Sequence, residues 1–282
     1  MRSALVMEGG AMRGVFTAGV LDVFMEEGIV FDGAIGISAG ACFGINYKSG
    51  QIGRAIRYNK KYCNDKRYCS MENLIRTGDI YGADFCYREL PFKLDVFDCK
   101  AFEENPMDFF VGATDVVTGK PVYFKLKDCK NRDLEWIRAS ASMPLVSNIV
   151  KVDGYSLLDG GISDSIPYRC MERLGYDRNV IILTQTAAYR KKKTKAIPLI
   201  RLKYHKYPGL VYAMEHRHEM YNKQLKGVRK REKEGRAFVI RPPEELNISR
   251  TESNPAELER VYQIGRAEAR KRLPELKKFL QQ

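Results

Sequence analysis

A largely parallel α/β fold is the class this sequence predicts, and three observations carry it. Strand-like and helix-like stretches alternate through the first 50 residues, a β-branched run returns at 179–184, and each glycine-rich loop follows a candidate strand. Parallel strands need a crossover between them, usually a helix, so this alternation favours a parallel sheet over a series of hairpins. With 282 residues and 44% apolar composition, the chain can bury one large core or two small ones.

The first strand is "ALVM" (4–7), whose four apolar residues are too few for a signal-peptide core. After a glycine-rich turn, Phe16, Val20, Val23 and Phe24 recur at helical spacing until Gly28 stops the run. "FDGAIGIS" offers a second strand, and "AGACFGINYKSG" a second helix closed by Gly50. Residues 51–108 read as mostly helical or irregular, with aromatics and cysteines suited to covering a site. The stretch 108–126 reads as two strands joined at Thr118-Gly119, with Asp115 as a turn residue. A helix follows, with Asn131 as its N-cap, Pro144 as its stop and Trp136 in the core. Short strands with Asp153 at their turn lead to the glycine pair 160–161, then a helix to Gly175 and the strand 179–184. From 186 onward the reading is basic helices, a strand at "RAFVIRP" and a last helix over 255–281.

Charge is distributed unevenly. Residues 1–185 hold 23 Lys and Arg against 24 Asp and Glu, whereas 186–282 hold 25 against 11, so the whole excess of +13 lies in the last third. Such a face suits an anionic partner, a phospholipid surface or nucleic acid, or simply water. The seven cysteines are odd in number and lack C-x-x-C spacing, which predicts free thiols in a reducing cytoplasm; Cys42 is expected as a buried structural thiol. The three histidines form no H-E-x-x-H, so no metal site is expected. No apolar run of about 18 residues is present, so no spanning helix is expected.

Three glycine-rich loops carry the chemistry. "EGGAMRG" (8–14), with Gly9, Gly10 and Gly14, fails both nucleotide-loop patterns, yet it exposes backbone N–H groups at a helix start and adds Arg13 as a phosphate-gripping cation. "GISAG" (36–40) sets Ser38 between Gly36 and Gly40, either as a nucleophile lifted on a sharp strand-to-helix turn or as a helix cap. "LLDGG" puts Asp159 ahead of Gly160 and Gly161, as a turn-former or as the base that takes a serine proton.

Taken together and in this order, the three loops resemble the patatin-like phospholipases. "ATDVVTGKPVYF" and "RASASMP" extend the likeness over about residues 3–185. The resemblance implies a three-layer α/β/α fold with a mostly parallel sheet, a catalytic core over 1–185, and a basic, mainly helical part at 186–282 packed on the same domain. It implies a Ser–Asp dyad without histidine: Ser38 as nucleophile, Asp159 as base, the N–H groups of Gly10 and Ala11 as oxyanion hole, and Arg13 on the substrate phosphate. The implied reaction releases fatty acid from a glycerolipid through an acyl-serine, as a phospholipase A or lysophospholipase does, with no cofactor. Two departures from the family pattern bear on substrate preference: Ala11 replaces the third glycine of the first loop, and Ser165 stands where asparagine is common.

Two rivals stand beside this reading. A Ser38–Asp159–His216 triad fits the chain order of α/β-hydrolases, although Ser38 comes very early for that fold and "MEHRHEM" reads as an exposed basic helix. A basic binding protein draws support from "RKKKTK" and "KGVRKREKEGR" with interleaved tyrosines, but no nucleic-acid motif accompanies them, and peripheral contact with an anionic membrane fits better. Cytoplasmic location with such contact is the expectation.

Overall fold

A computed structural model describes residues 1–281. Eight strands form one sheet: β1 (Ser3–Met7), β2 (Gly33–Ile37), β3 (Asp108–Asp115), β4 (Pro121–Lys125), β5 (Val150–Val152), β6 (Tyr155–Asp159), β7 (Arg178–Ile182) and β8 (Ala237–Ile240). Ten α-helices accompany them among the described residues: α1 (Val15–Glu26), α2 (Ala39–Lys48), α3 (Arg54–Tyr62), α4 (Met71–Thr77), α5 (Cys99–Glu104), α6 (Asn131–Ala141), α7 (Tyr168–Arg173), α8 (Ile197–Lys203), α9 (Pro208–Lys233) and α10 (Pro255–Gln281). The central strands β3, β2, β1, β7 and β8 are parallel neighbours, and β4, β6 and β5 complete one side in antiparallel pairing.

Strand alternation divides the interior into two cores, which makes three layers. Leu5, Met7, Phe109, Val111, Val180 and Ile182 face one side, packed with α1, α2, α3, α6 and α10. Ala4, Val6, Ile35, Ile181 and Val239 face the other, packed with α7 and α9. A smaller cluster of Val116, Leu158, Ile200 and Met214 docks α8 and α9 against the end of the sheet that carries the glycine loops. The last helix lies directly on α1. They cross so closely that a Cβ at Gly265 would lie 2.1 Å from the Phe16 carbonyl oxygen, so glycine is required there.

Two local expectations are corrected. Asn131 is not the cap of α6 but its first residue; Asp133 instead accepts the N–H groups of Lys127, Asp128 and Cys129. The helix also ends at Ala141, ahead of Pro144. Asp115 accepts from the N–H groups of Val117 and Thr118, as a hairpin residue should, and Trp136 is buried against Phe124 at 4.9 Å. The irregular region 51–108 contains α3, α4, α5 and a wide helical turn at Phe85–Leu94 interrupted by Pro91.

Candidate functional site

The sheet register brings two loops together. Val111 of β3 faces Gly36 of β2 and Phe124 of β4, while Ala113 faces Val122 of β4 and Asp159 of β6. A residue pairs with one strand on each side, so β4 occupies one edge of β3, and β2 and β6 share the other end to end. β2 pairs as far as Gly112, and β6 takes over at Ala113. Because β2 is parallel and β6 antiparallel to β3, their carboxyl ends meet, and Ser38 and Asp159 meet with them.

Ser38 sits at a sharp turn with φ 54° and ψ −123°, a backbone geometry that costs roughly 1–3 kcal/mol for a residue with a side chain. The turn is over-determined by its surroundings. The Ser38 N–H donates to Ser140 Oγ at 2.8 Å, Ser140 donates in turn to the Gly112 carbonyl at 2.6 Å, and the Ser38 carbonyl accepts from Ala41 and Cys42 as α2 begins. Gly36 and Gly40 flank it, and at Gly40 a Cβ would lie 2.5 Å from the Met7 carbonyl oxygen, so the loop can pass over β1 only without a side chain. The first loop lies against the second: Gly9 packs on Ser38, and Gly14 on Ala39 and Phe43.

Asp159 is buried, and burial pushes its carboxyl above the usual carboxylate range. The Arg217 guanidinium, the Ser38 hydroxyl beside it, the Gly161 N–H and Lys191 each pull it back. Gly161 donates to Oδ1 at 2.7 Å, and Gly160 lies over the Gly112 carbonyl. In the first loop, Gly10 packs against Thr184, and Ala11 adopts φ 49°, the left-handed conformation a glycine would hold without strain. Among the described residues, neither the Gly10 nor the Ala11 N–H donates to a protein acceptor. Arg13 lies close by, with its Nε buried and without a partner.

Ser38 stands between two cavities. One, of about 140 Å³, is walled by Met12, Phe43, Tyr58, Tyr68, Tyr87, Leu90 and Ile137 under the 51–108 region. Cys42 lines it as a half-buried thiol, its pKa pushed up to about 12 mainly by desolvation. The other, of about 540 Å³, holds Ser38, Asp159, Gly10, Ala11, Arg13 and Ser165 together with Lys191, Arg217, His218 and Arg250. Ser165 donates to the Gly161 carbonyl at 2.7 Å, which also accepts from Arg217 Nε at 2.6 Å. The "MEHRHEM" helix is therefore half-buried over the site at Arg217, not wholly exposed. His216 takes no part: its Nδ1 meets the Tyr212 carbonyl and its ring stacks on Tyr212 at 4.1 Å. Among the described residues, no group of three or more His, Cys, Asp or Glu is placed to hold a metal ion. No helix among them is long and apolar enough to cross a membrane.

The residues that sequence reasoning missed are Ser140, Arg217, Lys191 and Arg250. Lys191 lies in the basic run "RKKKTK" and Ser140 in "RASASMP", but neither pattern assigns them to the site, which all four reach only through tertiary packing.

Comparison with known proteins gives the following. Residues 5–170 match the family model described as patatin-like phospholipase, and residues 207–281 match one described as a domain of unknown function (DUF6363). The Escherichia coli K12 protein YjjU, itself described as uncharacterized, is 30% identical over 277 residues, covering 94% of this chain and 75% of its own length. The Mycobacterium tuberculosis H37Rv protein Rv1063c, described as an uncharacterized NTE family protein, is 28% identical over 64% of this chain and 48% of its own length. The Aspergillus oryzae lysophospholipase nte1 is 26% identical over 180 residues, covering 61% of this chain and 11% of its own length.

Proposed function

This chain belongs to the patatin-like phospholipase family, and from that premise we propose a serine lipid acyl hydrolase working through a Ser38–Asp159 dyad. At family level it is a lipid ester hydrolase. The observation that supports the finer reading is the end-to-end meeting of β2 and β6 on one edge of β3, with the serine on one strand end and the carboxylate on the other.

In this reading, Ser38 Oγ attacks the ester carbonyl of a glycerolipid while Asp159 accepts the hydroxyl proton. The oxyanion of the tetrahedral intermediate faces the free N–H groups of Gly10 and Ala11, each worth about 2.7–4 kcal/mol of barrier in comparable sites. Collapse breaks the ester C–O bond, and the departing glycerol oxygen takes the proton back from Asp159. Water then attacks the acyl-serine, Asp159 accepts its proton, and fatty acid leaves as Ser38 regains that proton. The apolar cavity takes the acyl chain, and Arg13 steadies the phosphate. Exposed Leu199 and Leu202 on α8, flanked by Arg201 and Lys203, favour delivery of substrate from an anionic bilayer surface.

A fluorophosphonate probe tests the reading alongside fatty-acid release from phospholipid and lysophospholipid. Wild type is expected to label and to release fatty acid. Ser38→Ala is expected to lose both, Asp159→Asn to lose release by at least about a hundredfold, and His216→Gln to match wild type. Release that survives Ser38→Ala, or that disappears in His216→Gln, refutes the dyad.

A further inference from the structure

We infer that the basic C-terminal third completes the site as a cation-lined chamber that selects lipid substrates bearing an anionic phosphate head group. This rests on the hydrolase reading above. Ser38 borders both cavities, so an ester carbonyl held there directs its acyl chain into the apolar cavity and its alcohol side, with the head group, into the larger one.

Five permanent or readily charged cations line that larger chamber, Arg13, Lys191, Lys192, Arg217 and Arg250, against two carboxylates, Glu8 and Asp159. Both carboxylates are already engaged. Glu8 accepts from the Tyr221 hydroxyl at 2.5 Å and the Thr184 N–H at 2.7 Å, and Asp159 accepts from Gly161. Among the described residues, none of the five cations forms an ion pair, whereas most arginines elsewhere in the chain do. Two nitrogens in the chamber, Arg13 Nε and His218 Nδ1, are buried with no hydrogen-bond partner. Buried polar groups normally find partners, and cations crowded without counter-ions repel one another. Lys191 registers that crowding: burial, with Arg217, Arg13 and Arg250 adding to it and Glu8 opposing, lowers its pKa to about 8. Among the described residues, Arg217 gives only its Nε to protein, at the Gly161 carbonyl.

A phosphate oxygen supplies what each of these groups lacks. Charge-assisted hydrogen bonds to phosphate are short and strong, and arginine's planar fork suits them. A choline head group, by contrast, brings an ammonium into a chamber with surplus positive charge. Four of the five cations lie beyond residue 186, and two of those, Arg217 and Arg250, fall within residues 207–281, so this selection is the role of the C-terminal third.

The experiment compares kcat/KM for lysophosphatidate and lysophosphatidylcholine of one acyl chain, both below their aggregation thresholds, with p-nitrophenyl butyrate as an ester lacking a head group. The anionic lipid is expected to be preferred by about tenfold or more, the size of one good charge contact. In Lys191→Ala/Arg250→Ala the preference is expected to collapse toward unity, and Lys191→Arg is expected to restore it beside Arg250. Because a ratio is read within one preparation, a smaller folded fraction does not change it. Equal turnover of the two lipids by wild type, or a preference that survives the double variant, overturns the inference while butyrate turnover keeps the hydrolase reading intact. If wild type turns over no ester, the hydrolase reading fails instead; calorimetric binding of the two lysolipids to Ser38→Ala then tests the chamber alone, and equal affinities overturn it. Inorganic phosphate that competes below the KM of the lipid identifies a free-phosphate site and also overturns the lipid assignment.

Discussion

Ser38 and Asp159 could be read from the chain because each stands in a short glycine pattern whose meaning is steric. The left-handed backbone at Ser38 and the close pass of Gly40 over Met7 are the physical content of that pattern. Ser140 and Arg217 could not be read, since a serine in "RASAS" and an arginine in a basic helix look like many others until Gly112 and Gly161 fix their partners. Ala11 shows an intermediate case: its departure from glycine was visible, but only the structure shows that it keeps the positive φ. A pH prediction belongs here. A base must be unprotonated to act, and burial raises the Asp159 carboxyl, so kcat/KM is expected to fall with acid at a pH above the ordinary carboxylate range. Arg217 is the largest influence pulling that carboxyl back, so Arg217→Met is expected to move the acid limb upward. A limb that stays put in this variant refutes the coupling, whatever happens to the absolute rate.

The elements divide by how local their causes are. β1, β2, the β3–β4 hairpin and α10 were legible because apolar periodicity and turn residues lie within each segment. The region 51–108 was not, because its pieces are short and the wide turn at Phe85–Leu94 carries Pro91, which no helical pattern anticipates. The sharing of one β3 edge by β2 and β6 was also hidden, since register is a long-range property of the folded sheet. Helix packing offers the test at this scale. Gly265 of α10 meets the Phe16 carbonyl, and Gly19 of α1 meets that of Tyr262, so a side chain at either must force the helices apart. Gly265→Val is expected to lower the urea midpoint, with a loss of about 1–3 kcal/mol and an unchanged m-value. Unaltered stability would show that the crossing tolerates a wider separation than the structure has.

Across the whole molecule, charge follows the fold. The excess of +13 resides in the last third, partly turned inward to the chamber and partly outward beside Leu199, which is 53% exposed, and Leu202, which is 74% exposed. Attraction between an exposed basic face and a bilayer is screened within about 8 Å at physiological salt. The protein is therefore expected to sediment with vesicles containing anionic lipid at low salt, less so at 0.5 M salt (about a 4 Å screening length), and not with purely zwitterionic vesicles. Equal sedimentation with both compositions removes the electrostatic account of membrane contact.

The shared edge of β3 also bears on when activity begins during synthesis. β2 and β6 leave the ribosome more than a hundred residues apart, and the arginines over the site follow later still. On the proposed dyad, a partly made chain owns a serine but neither its base nor its head-group chamber. On that reading the chain has no working dyad until the sheet closes, and it gains head-group selection only once the tail folds over the site.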